Sequence, residues 1–419
     1  MPITLPHEWV KIHAGADPEA PAVVFADATI SYGELLRSAT RRARQLISEG
    51  AGPGVLVSFD ASSSPATIVE LVAVHMAGAV AVPRGPQAID GSAPVEATAY
   101  VVVATSGSSG RPRGVILTKS NIAAATEASH RRLSNRAADR WLLTLPLFHI
   151  GALSVVWRSL VAGGSVELLP RFETDAAITA LRSGSVTFAS LVPTMLHRLL
   201  AADAGPYDGL TAVLLGGAPA SIDLVERALD AGLPILQTYG MTEAGSQVAT
   251  VEPGTARAAL GTAGPPLDGV ELSIDDGEIL VDGATVSPGY LGGHPRVGPH
   301  RTGDLGYLDD QGRLVVTGRR DTVIITGGEN VHPATIEAAI ESLPIARRAV
   351  AVGVADDEWG QIVVAVVEAA PADLPAIEMA VRRLVARHEV PRRWIAVDEV
   401  PQLETGKPDR AAARTLATG

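Results

Sequence analysis

Short apolar runs rich in valine, leucine and isoleucine alternate with longer helical patterns along the first half of the chain. The runs 22–25 and 54–59 are followed by the helical patterns 32–47 and 64–76. The same alternation returns after five further apolar runs, at 141–145, 165–169, 186–191, 212–215 and 235–238. A chain in which strands and helices alternate in this way folds into a parallel sheet covered by helices. We therefore predict an α/β fold for this part of the chain.

The pattern changes after residue 260, where short strands are separated by turn dipeptides and no long helical pattern occurs. Asp276-Gly277, Asp282-Gly283 and Gln311-Gly312 are turns of the kind that join antiparallel strands. We expect a small antiparallel β unit at about 261–317. Beyond it, three β-rich runs and two helical patterns predict a compact α+β unit, at 322–326, 333–342, 349–354, 362–367 and 374–388.

These patterns predict a large N-terminal domain and a small C-terminal domain. The first, 1–320, combines βα layers with the antiparallel β unit, and the second, 321–419, is the α+β unit.

The composition excludes several classes of protein. The 419 residues include no cysteine, which rules out disulfides, zinc–cysteine sites and cysteine nucleophiles. The 34 basic and 46 acidic residues give a net charge of −12, which argues against nucleic acid as a partner. No apolar run is long enough for a membrane span and no signal-peptide pattern is present, so we expect a cytoplasmic protein that does not associate with membranes.

A loop of small hydroxyl and glycine residues follows the β run at 101–104 directly. Such a loop lets backbone N–H groups and hydroxyls converge on a phosphate. A flexible linker is the alternative, but apolar strands flank the loop and Pro112 stiffens it. No Walker A, G-x-G-x-x-G or G-x-S-x-G pattern occurs. The residues that we expect to bind phosphate are Thr105, Ser106, Gly107, Ser108, Ser109 and Gly110.

Seven segments in chain order resemble motifs of the adenylate-forming superfamily, which contains acyl- and aryl-CoA ligases, peptide-synthetase adenylation domains and luciferases. The first is this phosphate loop, and the others are 145–149, 215–219, 238–243, 301–304 and 318–330, with 404–407 completing the series near the C-terminus. The finer resemblance is to the o-succinylbenzoate–CoA ligases of menaquinone synthesis, through 145–150, Trp157-Arg158, 189–194, 214–218, 239–247 and 327–330.

The resemblance implies a two-step reaction that uses ATP, Mg²⁺ and coenzyme A. A carboxylate attacks the α-phosphorus of ATP and pyrophosphate leaves, and a thiol then displaces AMP from the acyl-adenylate. Lys407, one of only three lysines, would bridge the carboxylate and the α-phosphate. Thr242 would donate to phosphate and Glu243 would bind Mg²⁺. Both are assigned to catalysis with Lys407.

The resemblance also assigns the nucleotide site. Asp304 would accept the ribose hydroxyls, Tyr239 would offer its ring to adenine, and Arg319 would reach the ribose or a phosphate. The neighbouring Arg320 is expected to be solvated. The remaining residues expected at ATP or AMP, besides the phosphate loop and Thr242, are Gly216, Gly217, Ala218, Pro219, Gly240 and Met241.

The same family pattern implies an acyl pocket and a hinge. The pocket residues would be Phe148, His149, Ser190, Thr194, Ser246 and Gln247, with Arg158 or a protonated His149 left open as a cation for a second carboxylate. Asp321 would be the hinge of the small domain. Gly327, Gly328 and Glu329 would face the site when the thiol, coenzyme A, reacts.

Two departures from the family pattern stand out. Arg113 replaces the usual lysine of the phosphate loop, and the chain is short between Val82 and Tyr100, which puts one βα layer in doubt. Another aryl- or alkanoate-CoA ligase and a stand-alone enzyme that loads a carrier protein stay open as alternatives. A non-catalytic nucleotide-binding homologue is a remote one. The sequence leaves a homodimer open.

Overall fold

The structure is a computed structural model that describes residues 4–26, 28–86, 89, 95–106, 112–203, 205–402 and 408–418. Its helices are α1 (Pro6–Ala16), α2 (Tyr32–Ser48), α3 (Pro65–Met76), α4 (Lys119–Leu133), α5 (Ile150–Ala162), α6 (Thr174–Arg182), α7 (Pro193–Ala202), α8 (Ile222–Asp230), α9 (Pro333–Glu341), α10 (Leu374–Leu384) and α11 (Arg410–Thr418).

The strands form four sheets within the described ranges. In chain order they are β1 (Pro21–Phe25), β2 (Ala28–Ser31), β3 (Leu56–Asp60), β4 (Val80–Arg84), β5 (Ala99–Ser106), β6 (Pro112–Thr118), β7 (Arg140–Leu143), β8 (Ser165–Leu168), β9 (Phe188–Leu191), β10 (Ala212–Leu215), β11 (Ile235–Met241), β12 (Ser246–Thr250), β13 (Val270–Asp275), β14 (Glu278–Gly283), β15 (Gly289–Tyr290), β16 (His300–Leu308), β17 (Leu314–Arg319), β18 (Ile324–Thr326), β19 (Glu329–Val331), β20 (Ala349–Asp356), β21 (Gly360–Glu368) and β22 (Arg393–Val397).

Two of the sheets have a parallel centre. The larger has the order β12-β11-β10-β9-β7-β8-β1-β2, in which only the two edge strands β12 and β2 run antiparallel to their neighbours. The smaller has the order β15-β6-β5-β4-β3, and β3, β4 and β5 are parallel. The predicted α/β fold of the N-terminal part is confirmed.

The other two sheets follow in chain order. Strands β13, β14, β16 and β17 form an antiparallel sheet, as the turn dipeptides predict. The last sheet, β19-β18-β21-β20 with β22 beside β21, lies with α9, α10 and α11 in a smaller C-terminal unit. This unit has apolar clusters of its own, built around Ile336, Ile377 and Val364. The predicted small C-terminal part is therefore confirmed as an α+β unit.

Helix α5 lies at the centre of the N-terminal part, since ten of its 13 residues are buried. Its apolar sequence packs against α1 and α4 and against the strands β7 and β8. The helix ends at Gly163, whose φ of +77° is one that other residues rarely adopt. A side chain at Gly163 would also meet the ring of His13 at 2.8 Å, so glycine both ends α5 and admits α1.

Some predicted bounds were wrong. The last predicted helix, 374–388, ends at Leu384 because Val385 is extended, with φ −124° and ψ 164°. In the short region, β4 ends at Arg84 and β5 begins at Ala99, and the described residues between them contain no helix or strand. None of the described helices is long and apolar enough to cross a membrane.

Three side chains from separate elements form a buried titratable column. His7 Nδ1 lies 3.1 Å from the hydroxyl of Tyr100, and His75 Nε2 lies 3.2 Å from the Tyr100 carbonyl. The rings of His75 and Tyr100 are stacked, with their centres 3.6 Å apart. Burial lowers the pKa of His7 to about 4 and lowers the pKa of His75 well below 6.5. Both histidines are therefore neutral in the folded protein at neutral pH.

This column makes stability depend on pH. Below about pH 6.5 these histidines bind protons in the unfolded chain but not in the folded one. The free energy of unfolding therefore falls as the pH drops towards 4. Each histidine lowers it by at most about 1.4 kcal/mol per pH unit. Urea unfolding between pH 7.5 and 5 measures this slope. We expect His75→Gln to flatten it, while substitution of the exposed His388 by Gln leaves it unchanged. Equal slopes for wild type and His75→Gln would contradict the assignment.

Candidate active site

The carboxyl ends of β9, β10 and β11 meet at one edge of the larger sheet, as parallel neighbours must. The loop that begins with Gly216 and Gly217 follows β10, and β11 ends at Tyr239, Gly240 and Met241. A Cβ at Gly216 would lie 2.7 Å from the Thr238 side chain, and Gly217 has φ +82°. Glycine is therefore required where this loop, which continues through Ala218 and Pro219, passes the end of β11.

Tyr239, Asp304 and Arg319 come together from three different strands. The Tyr239 hydroxyl donates to Asp304 Oδ2 at 2.6 Å, and Arg319 Nη1 donates to Asp304 Oδ1 at 3.0 Å. Arg319 also donates to both carboxylate oxygens of Asp321, at 2.9 and 3.3 Å. Burial and the Asp304 carboxylate raise the pKa of Tyr239, so its hydroxyl is a donor at any working pH. One carboxylate, Asp304, thus lies between a tyrosine and an arginine.

Arg320 is exposed, as expected, and it also forms ion pairs. Its guanidinium is ion-paired with Asp276 at 3.4 Å and with Glu278 at 3.6 Å, both in the antiparallel sheet. The chain immediately before Asp321 is therefore anchored to this sheet by two neighbouring arginines.

Glu243 lies in the short 3-10 turn after β11 and is held by two contacts. Tyr290 donates its hydroxyl to Glu243 Oε1 at 2.9 Å, and the backbone N–H of Ser287 donates to the Glu243 carbonyl at 2.7 Å. The donor set fits Mg²⁺ shared with phosphates, because one carboxylate beside the Thr242 hydroxyl supplies few but hard oxygen ligands. No cluster of three or more His, Cys, Asp or Glu side chains that could hold a metal occurs among the described residues.

A buried guanidinium lines a small, partly open cavity of about 10 Å³ beside α5. Arg158 is 2% exposed, donates from Nε and Nη2 to the carbonyl and hydroxyl of Ser154 at 2.9 and 2.6 Å, and lies over the Trp141 ring at 4.8 Å. Its Nη1 has no partner among the described residues, nor is there a carboxylate paired with it there. Burial lowers its pKa to about 9, which leaves it charged at neutral pH.

The remaining lining of this cavity is polar or small. It consists of Ala125, Thr126, Ser129, Ser154, Gly245, Ser246 and Gln247. Ser246 Oγ lies 3.1 Å from Ser154 Oγ, and Gln247 is bonded at both ends of its amide, to Ser129 and to Thr250. Two of the residues predicted for the acyl pocket, Ser246 and Gln247, therefore lie beside Arg158.

The other residues predicted for the acyl pocket lie apart from this cavity's lining. The Phe148 ring packs on the backbone of Gly85, where a Cβ would come within 2.5 Å, and lies 4.4 Å from the ring of His149 at the start of α5. Ser190 is buried in β9. Thr194, at the start of α7, faces a separate cleft.

This cleft separates α7 and α8 from the C-terminal unit and has a volume of about 830 Å³. Arg198 on α7 faces Glu399 across it at 4.0 Å. The cleft also receives Glu341, whose pKa is raised to about 7 by burial, and Gln402, the last described residue before the segment 403–407.

Several predicted site residues lie outside the described residues: Gly107, Ser108, Ser109, Gly110 and Lys407, together with the side chain of Ser106. Thr105 is the residue before the end of β5. Gly327 and Gly328 form the turn between β18 and Glu329 at the start of β19, both with positive φ. A Cβ at Gly327 would lie 2.7 Å from the ring of Trp359.

Comparison with known proteins gives consistent matches over most of the chain. The sequence model of the AMP-binding enzyme family matches residues 10–93 and 87–291, and that of the AMP-binding enzyme C-terminal domain matches 335–407. The two stretches of the first match overlap at residues 87–93, in the shortened region between β4 and β5. A 2-succinylbenzoate–CoA ligase from Listeria monocytogenes is 36% identical over 318 residues, 74% of this chain and 68% of the relative.

Solved structures agree with the sequence comparison. The o-succinylbenzoate CoA synthetase of Bacillus subtilis in complex with its acyl-adenylate intermediate OSB-AMP is 28% identical, covers 97% of both chains and has a TM-score of 0.87. A double mutant of the same protein bound to a product analogue, OSB-NCoA, is also 28% identical over 97% of this chain and 98% of that one, but has a TM-score of 0.70.

The family matches, the relatives and the converging residues at the strand ends lead to one conclusion. The chain belongs to the AMP-binding enzyme family, the adenylate-forming enzymes that its motifs predict.

Proposed function

We propose that this enzyme is an AMP-forming acid–CoA ligase that converts 2-succinylbenzoate to 2-succinylbenzoyl-CoA. In the first step an oxygen of the aliphatic carboxylate bonds to the α-phosphorus of ATP, and the bond to pyrophosphate breaks. In the second, the sulfur of coenzyme A bonds to the acyl carbon, the thiol proton is lost and AMP leaves. The observation that carries the substrate assignment is the buried guanidinium of Arg158.

Arg158 favours an acid that carries a second negative charge. A buried charge without a counter-ion is costly, so a guanidinium with a free N–H beside a polar cavity fits an anionic ligand. The ring carboxylate of 2-succinylbenzoate would supply that anion, while Ser154 and Ser246 offer hydroxyls next to it. An alkanoate would leave the charge unpaired. The names of the relatives, 2-succinylbenzoate–CoA ligases, support the same acid.

The nucleotide would bind at the end of β11. Asp304 would accept the ribose hydroxyls, with Tyr239 and Arg319 fixing its carboxylate, and the backbone of 216–219 would pass the adenine. Thr242 would donate to phosphate. Mg²⁺, when bound by Glu243 and the phosphates, would neutralise the charge of the leaving pyrophosphate. Lys407 would bring the attacking carboxylate and the α-phosphate together, and Thr105 with residues 106–110 would hold the phosphates.

The two steps would use two arrangements of a C-terminal domain, 321–419, around Asp321. This structure is more similar to the relative's acyl-adenylate complex than to its product-analogue complex, with TM-scores of 0.87 and 0.70 at the same identity. The difference supports two arrangements of the small domain, of which the one used for adenylation would present Lys407. Rotation would present Gly327, Gly328 and Glu329 to coenzyme A instead.

The partners in this proposal are small molecules: the acid, ATP and coenzyme A. We place the enzyme in the cytoplasm, with a homodimer left open. Pyrophosphate release measured over a panel of acids tests the activity, with 2-succinylbenzoate, benzoate and decanoate in the panel and the CoA thioester identified by mass. Equal turnover of decanoate and 2-succinylbenzoate would leave only a general acid–CoA ligase.

The role of Arg158 predicts a change of specificity. We expect the wild type to use 2-succinylbenzoate at least about 10²-fold more efficiently than 4-oxo-4-phenylbutanoate, which lacks the ring carboxylate. Arg158→Met removes the buried charge and keeps an apolar side chain of similar length, so this ratio of kcat/KM should fall to near one. Arg140→Met, which breaks an ion pair with Glu167 in the larger sheet, serves as the control. An unchanged ratio in Arg158→Met would show that the ring carboxylate binds elsewhere.

The proposed hinge predicts opposite effects of two variants on the two steps. Asp321→Pro fixes φ near −65°, restricts Arg320 and removes the carboxylate that Arg319 binds, so the acyl-adenylate should accumulate while thioester formation slows. Lys407→Ala should slow adenylation by about 10²–10³-fold and spare thioester formation from supplied acyl-adenylate. Single-turnover kinetics of each step measure both. Normal thioester formation in Asp321→Pro would place the pivot at another residue.

A further inference from the structure

The segment 287–291, which contains β15, connects strand β6, which follows the phosphate loop, to the turn that carries Glu243. On one side, Leu291 N–H donates to the Gly114 carbonyl at 2.7 Å, and Ser287 Oγ donates to the Ile116 carbonyl at 2.6 Å. On the other side, Ser287 N–H donates to the Glu243 carbonyl at 2.7 Å. The backbone of this segment therefore fixes the distance between the phosphate loop's exit and Glu243.

Tyr290 extends from this segment to the Glu243 side chain. Its hydroxyl donates to Glu243 Oε1 at 2.9 Å. Burial and the Glu243 carboxylate raise the pKa of Tyr290 to about 12, so the hydroxyl keeps its proton at working pH. In the described part of the chain no hydrogen bond reaches the second oxygen, Oε2, which is thus left for another ligand. The hydrogen bond restricts how the carboxylate can turn.

Arg113 packs on the face of the Tyr290 ring. Its guanidinium carbon lies 4.1 Å from the centre of the Tyr290 ring, and no ion pair within the described ranges involves Arg113. An exposed cation–π contact of this kind contributes about 0.5–1 kcal/mol. The residue that departs from the family's lysine therefore has a contact that depends on the broad, planar charge of arginine.

We propose that Tyr290 is a positioning residue for adenylation, which holds Glu243 so that Oε2 faces the phosphates and Mg²⁺, with Arg113 holding the Tyr290 ring in place. This rests on the proposed ATP-dependent function and deepens it. Tyr290 touches neither phosphate nor acid in this role, and it acts through Glu243. A hydrogen-bond partner of a metal-binding carboxylate typically changes metal affinity by about 10–100-fold when it is removed.

The test compares Tyr290→Phe with wild type in its requirement for Mg²⁺. Mg²⁺ is titrated while the stabilisation of the melting temperature by α,β-methylene-ATP, which is not cleaved at that bond, is measured. We expect the half-saturating Mg²⁺ concentration to rise about tenfold in Tyr290→Phe and about two- to fivefold in Arg113→Gln. Pyrophosphate release should show the same shift and recover in excess Mg²⁺, while thioester formation from supplied acyl-adenylate stays unchanged.

Tyr207→Phe is the matched control, because the Tyr207 ring also lies under an arginine, Arg182, at 5.6 Å, but its hydroxyl does not bond to Glu243. It should leave the Mg²⁺ titration as in wild type. An unshifted titration in Tyr290→Phe, or an equal loss in both half-reactions that excess Mg²⁺ does not restore, would overturn the positioning role. The binding titration contains neither acid nor coenzyme A, so its result does not depend on whether 2-succinylbenzoate is the correct substrate. Failure of the wild type to bind the analogue with Mg²⁺ would instead refute the proposed function.

Discussion

The hydrogen bond between Tyr239 and Asp304 joins parts of the protein that have little else in common. Tyr239 ends a strand of the larger parallel sheet, and Asp304 lies in the antiparallel sheet. Through Arg319 the same carboxylate is linked to Asp321, the first residue assigned to the C-terminal domain. In the proposed function, nucleotide binding and the orientation of the small domain would therefore involve one connected set of charges, so that a change at one end of this set would affect the other.

The buried guanidinium of Arg158 gives the acid-binding side a different character. Placing a charge inside an apolar helix costs folding free energy, which the Trp141 ring and two bonds to Ser154 offset only in part. A cost of this kind is tolerated where function needs it, because selection requires only that stability stays above a threshold. If Arg158 binds the ring carboxylate as proposed, its charge is in place before the substrate arrives.

The sequence patterns predict the helices and strands better than they predict what each side chain contacts. Alternating apolar runs identify the βα layers because burial on both faces of a parallel sheet leaves a strong signal, and the family motifs indicate Asp304 and Glu243. The same patterns give Arg158 only as an open alternative, although an arginine inside the apolar stretch 150–162 is the signal that could have identified it. They also place Phe148 in the acyl pocket, which stays a prediction, but they do not show that its ring packs on Gly85. Contacts such as Tyr290 with Glu243 join residues far apart in sequence and follow only from the fold.

The cleft beside α7 bears on how much it costs to move the C-terminal unit. Among the described residues, the ion pair that joins its two walls is Arg198 with Glu399, at 4.0 Å, whereas the pairs Arg227–Asp223 and Arg347–Glu368 each lie within one wall. Exposed pairs at such distances contribute at most about 1 kcal/mol each. Moving the walls apart would therefore break one weak ion pair of the described residues, which opposes the movement only slightly. In the proposed two-step reaction, a weakly held boundary would let the C-terminal unit change its arrangement in each turnover.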